Sequence, residues 1–186
     1  MFQGLKELRE ENWKPFPVNV STIDYVLLTH GHLDHTGYLP RLFSEGFRGK
    51  IIGTSPTLAI TEIILLDSAK IHEEEAERAN KEGYSKHQPA EPFYTVKEAE
   101  ATLRLFKNAE KDTWITLTKD IQYRFRYNGH IIGATFIELD VFGKRFVFSG
   151  DIGRTEDALL FPPEKPKWAD FLFLESTYGN RLQKEK

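Results

Sequence analysis

The chain has 186 residues, 40% of them hydrophobic and 13% aromatic, which suits a globular domain with its own core and excludes a disordered one. Its formal net charge of −3 gives no general attraction to nucleic acid, and the absence of cysteine excludes disulfides, thiolate nucleophiles and thiolate zinc sites. No apolar run is long enough for a membrane span and the opening MFQGLKELREEN is too polar for a secretory signal. A soluble protein without membrane association is expected, cytoplasmic, or nuclear if eukaryotic.

In chain order, MFQG carries no strand or cap signal, and the first convincing strand is IDYVLLT, residues 23–29. Its near-continuous apolar run reads as a buried strand. GYLPRLF then reads as a short helix and GKIIGT as a short strand. The longest helical pattern covers residues 55–82, with Ser55 as N-cap, Pro56 in the first turn and Gly83 as the stop. Its apolar positions cluster early, and residues 72–82 are nearly all polar. A loop rich in Pro and His follows. Thr95 and Glu98 have capping-box spacing, and Val96, Ala99, Leu103 and Phe106 share one helical face.

After residue 112 the period changes to two. Ile121, Tyr123, Phe125 and Tyr127 alternate with Gln122, Arg124, Arg126 and Asn128. ATFIELDVFGKRFVFSG reads as a hairpin turning near Gly143, and ADFLFLES as one more buried strand. The expected fold class is α/β (α+β), with several antiparallel pairs.

Half of the six histidines fall in one stretch, LLTHGHLDHTGYLP. His30 and His32 are two apart at a strand end, so their side chains can point the same way. Asp34 and His35 lie just past it, where the chain must turn. One short loop thus offers two ligand pairs, able to serve two adjacent metal ions. Nitrogen and oxygen donors without sulfur suit zinc, with manganese or iron as alternatives. His130, in NGHIIGA, sits again where a strand ends. Alone it would read as structural; beside the first cluster it reads as a ligand. Asp151, in FSGDIGR, is flanked by Gly150 and Gly153. That pattern usually marks a turn, but a carboxylate there is also able to bridge two metals.

The ordered set H-x-H-x-D-H, G-H and S-G-D resembles the metallo-β-lactamase superfamily, and the resemblance covers most of the chain. NWKPFP, THGHLDHTGYLPRLF, GFRGKI, LLDSAKI, GHIIGA, FSGDIGR and LESTYGNR together look like its β-CASP branch of RNA-processing nucleases. The resemblance implies an αββα sandwich, here incomplete at both ends: residues 1–186 as a partial metallo-β-lactamase domain, with 170–180 leading into a β-CASP domain that is absent. It implies that His30, His32 and His130 hold one zinc, that Asp34 and His35 hold a second, and that Asp151 bridges them. Hydroxide between the ions would attack the phosphorus of an RNA phosphodiester. The resemblance further implies that Asp34 and Glu175 are catalytic, Glu175 orienting a later histidine. RNA is the implied substrate. A homodimer or processing-complex partners are implied for the full-length protein.

The family pattern also includes an aspartate before Met1 and two histidines after the last residue. Without them the second zinc site is expected to be incomplete, so this chain is expected to hold one zinc tightly and one weakly, with little or no RNA cleavage. A thioester or DNA hydrolase of the same superfamily is the nearest rival, and a non-catalytic scaffold the next. LESTYG argues against the thioester rival, and the intact ligand set against the scaffold. His72 and His87 are expected to be exposed, EEEAER to be a solvated helix face, Arg124 and Arg126 to face solvent, with contact to a phosphate backbone as the alternative, and Lys144 and Arg145 to be solubilising. Trp13, Trp114 and Trp168 are expected to be packing residues. Ser149 and Thr177 have no recognisable base partner and are not read as nucleophiles.

Overall fold

A computed structural model of the chain describes residues 1–2, 4–177 and 179–180; the closing motif's Tyr178 and residues 181–186 lie outside it. The chain divides into two compact units, Met1–Glu110 and Lys111–Lys186.

The first unit is built on a three-stranded parallel sheet in the order β1 (Tyr25–Leu27), β2 (Lys50–Gly53), β3 (Phe106–Asn108). Parallel neighbours need crossover connections, and helices supply them. The one-turn α2 (Leu33–Thr36) and α3 (Leu39–Ser44) link β1 to β2, while α4 (Ser55–Glu82) and α5 (Val96–Leu103) link β2 to β3. Val26 pairs with Ile51 and Leu27 with Ile52. On α4, Thr57, Leu58, Thr61, Leu65, Ser68, Ala69, Ala76 and Ala79 recur at helical spacing and are buried. The core gathers Leu28, Phe47, Ile51, Leu65, Tyr94 and Ala99. Each large side chain fully removed from water there contributes about 1.5–3 kcal/mol.

Local signals place these helices well. Gly83 closes α4 in the left-handed conformation at φ 70°. Thr95 and Glu98 form a complete capping box on α5. The cap of α4 is Thr54, one residue before the expected Ser55. Pro56 in the first turn has no N–H, so that turn has one donor fewer to satisfy. Phe106 does not extend α5. It opens β3, because ladder pairing of Leu105 and Phe106 with Ile51 outweighs helical periodicity. A helix α1 (Lys6–Glu11) occupies the opening segment, where the sequence carries no cap signal.

The second unit is a five-stranded sheet in the order β4 (Ile115–Thr118), β5 (Ile121–Tyr127), β6 (Thr135–Val141), β7 (Lys144–Phe148), β8 (Phe171–Phe173). All its pairs are antiparallel except β7–β8. The β6–β7 hairpin turns on Phe142 and Gly143, both at positive φ (50° and 75°), as a two-residue primed turn requires. Register puts Tyr123, Phe125, Ile137 and Leu139 on one face. The expected burial of ADFLFLES is overturned: Phe171, Leu172 and Phe173 are half-exposed. Among the described residues β8 lies at the sheet edge, paired with β7, and the rings of Phe171 and Phe173 stack on Phe146 and Phe148 at 4.7 and 4.6 Å.

The opposite face of this sheet corrects a second expectation. Arg124, Arg126 and Arg145 are not solubilising. Arg124 donates from Nε to the fully buried Glu138 at 2.7 Å. Arg145 donates to Asp140 through Nε and Nη2 at 2.7 and 2.8 Å, and lies between the Trp114 and Trp168 rings. Arg126 pairs with Glu164 and Asp112. Alternation puts these arginines on one face, and cross-strand acids then desolvate and pair them.

Candidate metal centre

In the first unit the donors emerge where β1 ends. His32 is the extended residue before α2, and Asp34 and His35 fall in that helix's single turn. Gly31 permits the tight path, since a Cβ there would stand 2.7 Å from Ile60 Cγ2. His30 is fully buried. Its Nε2 stands 3.1 Å from His32 Nδ1, and its Nδ1 stands 3.1 Å from Thr29 Oγ1. The His30 and His35 rings lie 4.1 Å apart, and His35 Nε2 is 3.4 Å from Asp34 Oδ2.

In the second unit His130 and Asp151 come together on adjacent loops, with Nε2 3.5 Å from Oδ2. Asn128, 2% exposed, organises both loops. Its Nδ2 donates to the carbonyls of Ser149 and Asp151 at 3.0 and 2.8 Å. Its Oδ1 accepts from the His130 N–H at 3.3 Å. The Gly153 N–H donates to the Asn128 carbonyl at 2.9 Å. Backbones approach so closely here that a Cβ on Gly153 would lie 1.8 Å from the Gly129 oxygen. Glu175 accepts from the Ile152 N–H, and its own N–H donates to Ser149 Oγ at 3.0 Å. The Glu175 carboxylate therefore braces the residue next to Asp151.

The donor set fits a divalent ion. Two ligands about 2.0–2.1 Å from one tetrahedral zinc stand roughly 3.3 Å from each other. The pairs His30–His32, Asp34–His35 and His130–Asp151 are at 3.1, 3.4 and 3.5 Å. Thr29 beside Nδ1 leaves His30 Nε2 facing His32, as an outer partner that orients a ligand ring does. Thr29, Asn128 and the Gly129–Gly153 approach carry no functional signal in the sequence. The Asn-Gly pair at 128–129 signals a turn, but nothing local reveals partners more than twenty residues away.

His72 and His87 remain apart from the donor sets. His72 corrects the expectation of exposure: its ring packs edge-on against Tyr94 at 4.8 Å and Phe93 at 6.1 Å. Within EEEAER, Glu74, Glu75, Glu77 and Arg78 are exposed as expected, while Glu73 accepts from the Val96 N–H at 3.0 Å. No helix among the described residues is long and apolar enough to cross a membrane.

Comparison with known proteins gives a consistent picture. A model of the beta-lactamase superfamily domain matches residues 2–184. The chain is 36% identical over 181 residues to ribonuclease TTHA0252 of Thermus thermophilus, covering 97% of this chain and 37% of that one. It is 30% identical over 176 residues to endoribonuclease YSH1 of Gibberella zeae, covering 90% and 20%. It is 30% identical over 168 residues to the transcription termination factor FttA of Cenarchaeum symbiosum, covering 87% and 24%. The chain thus spans between 20% and 37% of the length of these curated relatives.

Proposed function

The chain belongs to the metallo-β-lactamase superfamily, and from that premise we propose that it is the metal-binding part of a zinc-dependent ribonuclease of the β-CASP type. The observation that carries this reading is the spacing of the three donor pairs, 3.1–3.5 Å, each suited to sharing one ion. Relatives named as ribonucleases supply the substrate class. A cytoplasmic setting belongs to the same reading.

His30, His32 and His130 would hold one zinc, Asp34 and His35 the second, and Asp151 would serve both. It is the resemblance in sequence that assigns both donor sets to the same pair of ions. When bound, the ions lower the pKa of water from about 15.7 toward 7 and offset charge on the phosphoryl oxygens. The chain's own residues do the positioning. Thr29 orients His30, Asn128 holds the His130 and Asp151 backbones, and Glu175 fixes Ile152. Preset ligand geometry of this kind typically accounts for 10- to 100-fold in metal affinity or activity.

The test is zinc content per chain in monodisperse protein, compared with His32→Ala, followed by cleavage of labelled RNA, DNA and a thioester. Zinc retained by the parent and lost from the variant is expected, with whatever cleavage the parent shows directed at RNA and lost in the variant. A folded parent that binds no zinc, or one that cuts DNA or thioester and spares RNA, would overturn the reading.

A further inference from the structure

We infer that Phe161 is a stacking platform for an unpaired RNA base next to the cleaved phosphate, an inference that rests on the ribonuclease reading above. The segment 157–164 runs against the loop that carries His130. Gly129, the residue before His130, takes φ +71°, and a Cβ there would stand 2.8 Å from the Phe161 carbonyl oxygen. The absence of a side chain at Gly129 lets the two backbones meet.

This segment turns on itself at its start and is tied to the sheet at its end. Asp157 Oδ1 accepts from the N–H groups of Leu159 and Leu160 at 2.8 and 3.0 Å. The Glu164 N–H donates to the Tyr127 carbonyl at 2.9 Å, and Arg126 Nε donates to Glu164 Oε2 at 2.7 Å. The Phe161 ring meets Tyr127 edge-on, with centroids 6.0 Å apart at 75°. For all this anchoring, Phe161 is 77% exposed and Leu159 92%.

Single exposed apolar residues are ordinary. What sets Phe161 apart is that its backbone lies against the loop that carries His130 while its ring stays exposed. Its edge contact with Tyr127 leaves most of the ring open to solvent. Proteins that bind single-stranded nucleic acid use such rings, because every base has a π-face and stacking tolerates any sequence. Exposed Arg154, three residues after Asp151, is the cation nearest in sequence for the adjoining phosphate, shared with the facing carboxylate of Asp157. A protein contact through Phe161 and Leu159 is the alternative that the experiment separates.

The experiment is fluorescence anisotropy of a labelled single-stranded RNA oligonucleotide with the zinc-loaded chain, read before cleavage accumulates. Phe161→Ala is expected to weaken binding about 5- to 100-fold, with an unchanged thermal melt because the side chain is exposed. Phe161→Trp is expected to restore binding. An oligonucleotide with abasic positions around the cleavage point should bind the parent and Phe161→Ala equally. Equal affinity of parent and Phe161→Ala for intact RNA would overturn the inference and leave the ribonuclease reading standing. A zinc-loaded parent that binds no RNA would overturn both. A Phe161→Ala variant that alters self-association and leaves RNA affinity unchanged would assign the patch to a protein contact instead.

Discussion

The side-chain amide of Asn128 donates to the carbonyl of Asp151 at 2.8 Å, so one buried residue fixes the loop that presents a metal-donor carboxylate. The same side chain accepts from the His130 N–H. Asn128→Ala removes all three of its side-chain hydrogen bonds. Leaving buried backbone groups unsatisfied costs about 1–3 kcal/mol, so a lower melting temperature is expected. Zinc affinity, read by competition with a chromophoric chelator, should fall about 10- to 100-fold. A variant that melts earlier but holds zinc as tightly as the parent would show that Asn128 serves stability alone.

Gly153 faces Gly129 at a distance that admits no side chain, since a Cβ would fall 1.8 Å from the Gly129 oxygen and 2.5 Å from the His130 nitrogen. Backbone atoms cannot swing aside as the tip of a side chain can. Gly153→Ala is therefore expected to cost at least the 1–3 kcal/mol typical of overpacking, about 3 kcal/mol or more. It should also displace His130. Gly143→Asn makes the contrast. Its φ of 75° belongs to a primed hairpin turn and a Cβ there meets nothing within 4 Å, so near-neutral stability is expected. Chemical denaturation of both variants checks this, and similar losses would refute the steric argument.

The Arg124–Glu138 pair supplies a third expectation. Glu138 is 0% exposed, Arg124 meets one of its oxygens, and Arg145 Nη1 stands 3.8 Å from the other. Arg124→Met strands most of that buried charge, which typically costs about 3–5 kcal/mol. Replacing both partners, Arg124→Met with Glu138→Leu, removes the stranded charge and should recover most of the loss. Urea unfolding of the two single variants and the double variant measures the coupling. A double variant no more stable than Arg124→Met would show that the network around Glu138 depends on its charge.

The candidate donors were legible in the sequence because four of them fall within six residues, and the helix limits because caps act over three or four positions. Glu98 and Thr95 are such a pair, as is Gly83 at the end of α4. Asn128 was not legible, since its partners Ser149 and Asp151 lie 21 and 23 residues away. The arginines failed for the same reason. Alternation in IQYRFRYN names a polar face, but only strand order puts Glu138 opposite Arg124 and Asp140 opposite Arg145. Strand order also decided ADFLFLES. Its apolar composition matches a central strand, and its position at the sheet edge leaves it half in water.

His72 makes stability depend on pH. It sits on α4 against Tyr94 and Phe93, and its buried Nδ1 has no hydrogen-bond partner among the described residues. Burial pushes its pKa below the usual 6.5, with Glu75 on the same helix pulling back in part. Folding thus favours the neutral ring. Above pH 6.5 the ring is neutral in both states and costs nothing. As pH falls below 6.5, the unfolded chain takes up the proton first, and stability drains away until the folded-state pKa is passed. His72→Phe keeps the ring packing and cannot be protonated. Its melting temperature relative to the parent should therefore be flat above neutrality and rise progressively below pH 6.5. Melts from pH 8 to pH 5 decide the matter, because the difference cancels the titration of every other group. A difference that stays constant across the range would mean that His72 is protonated as readily when folded as when unfolded.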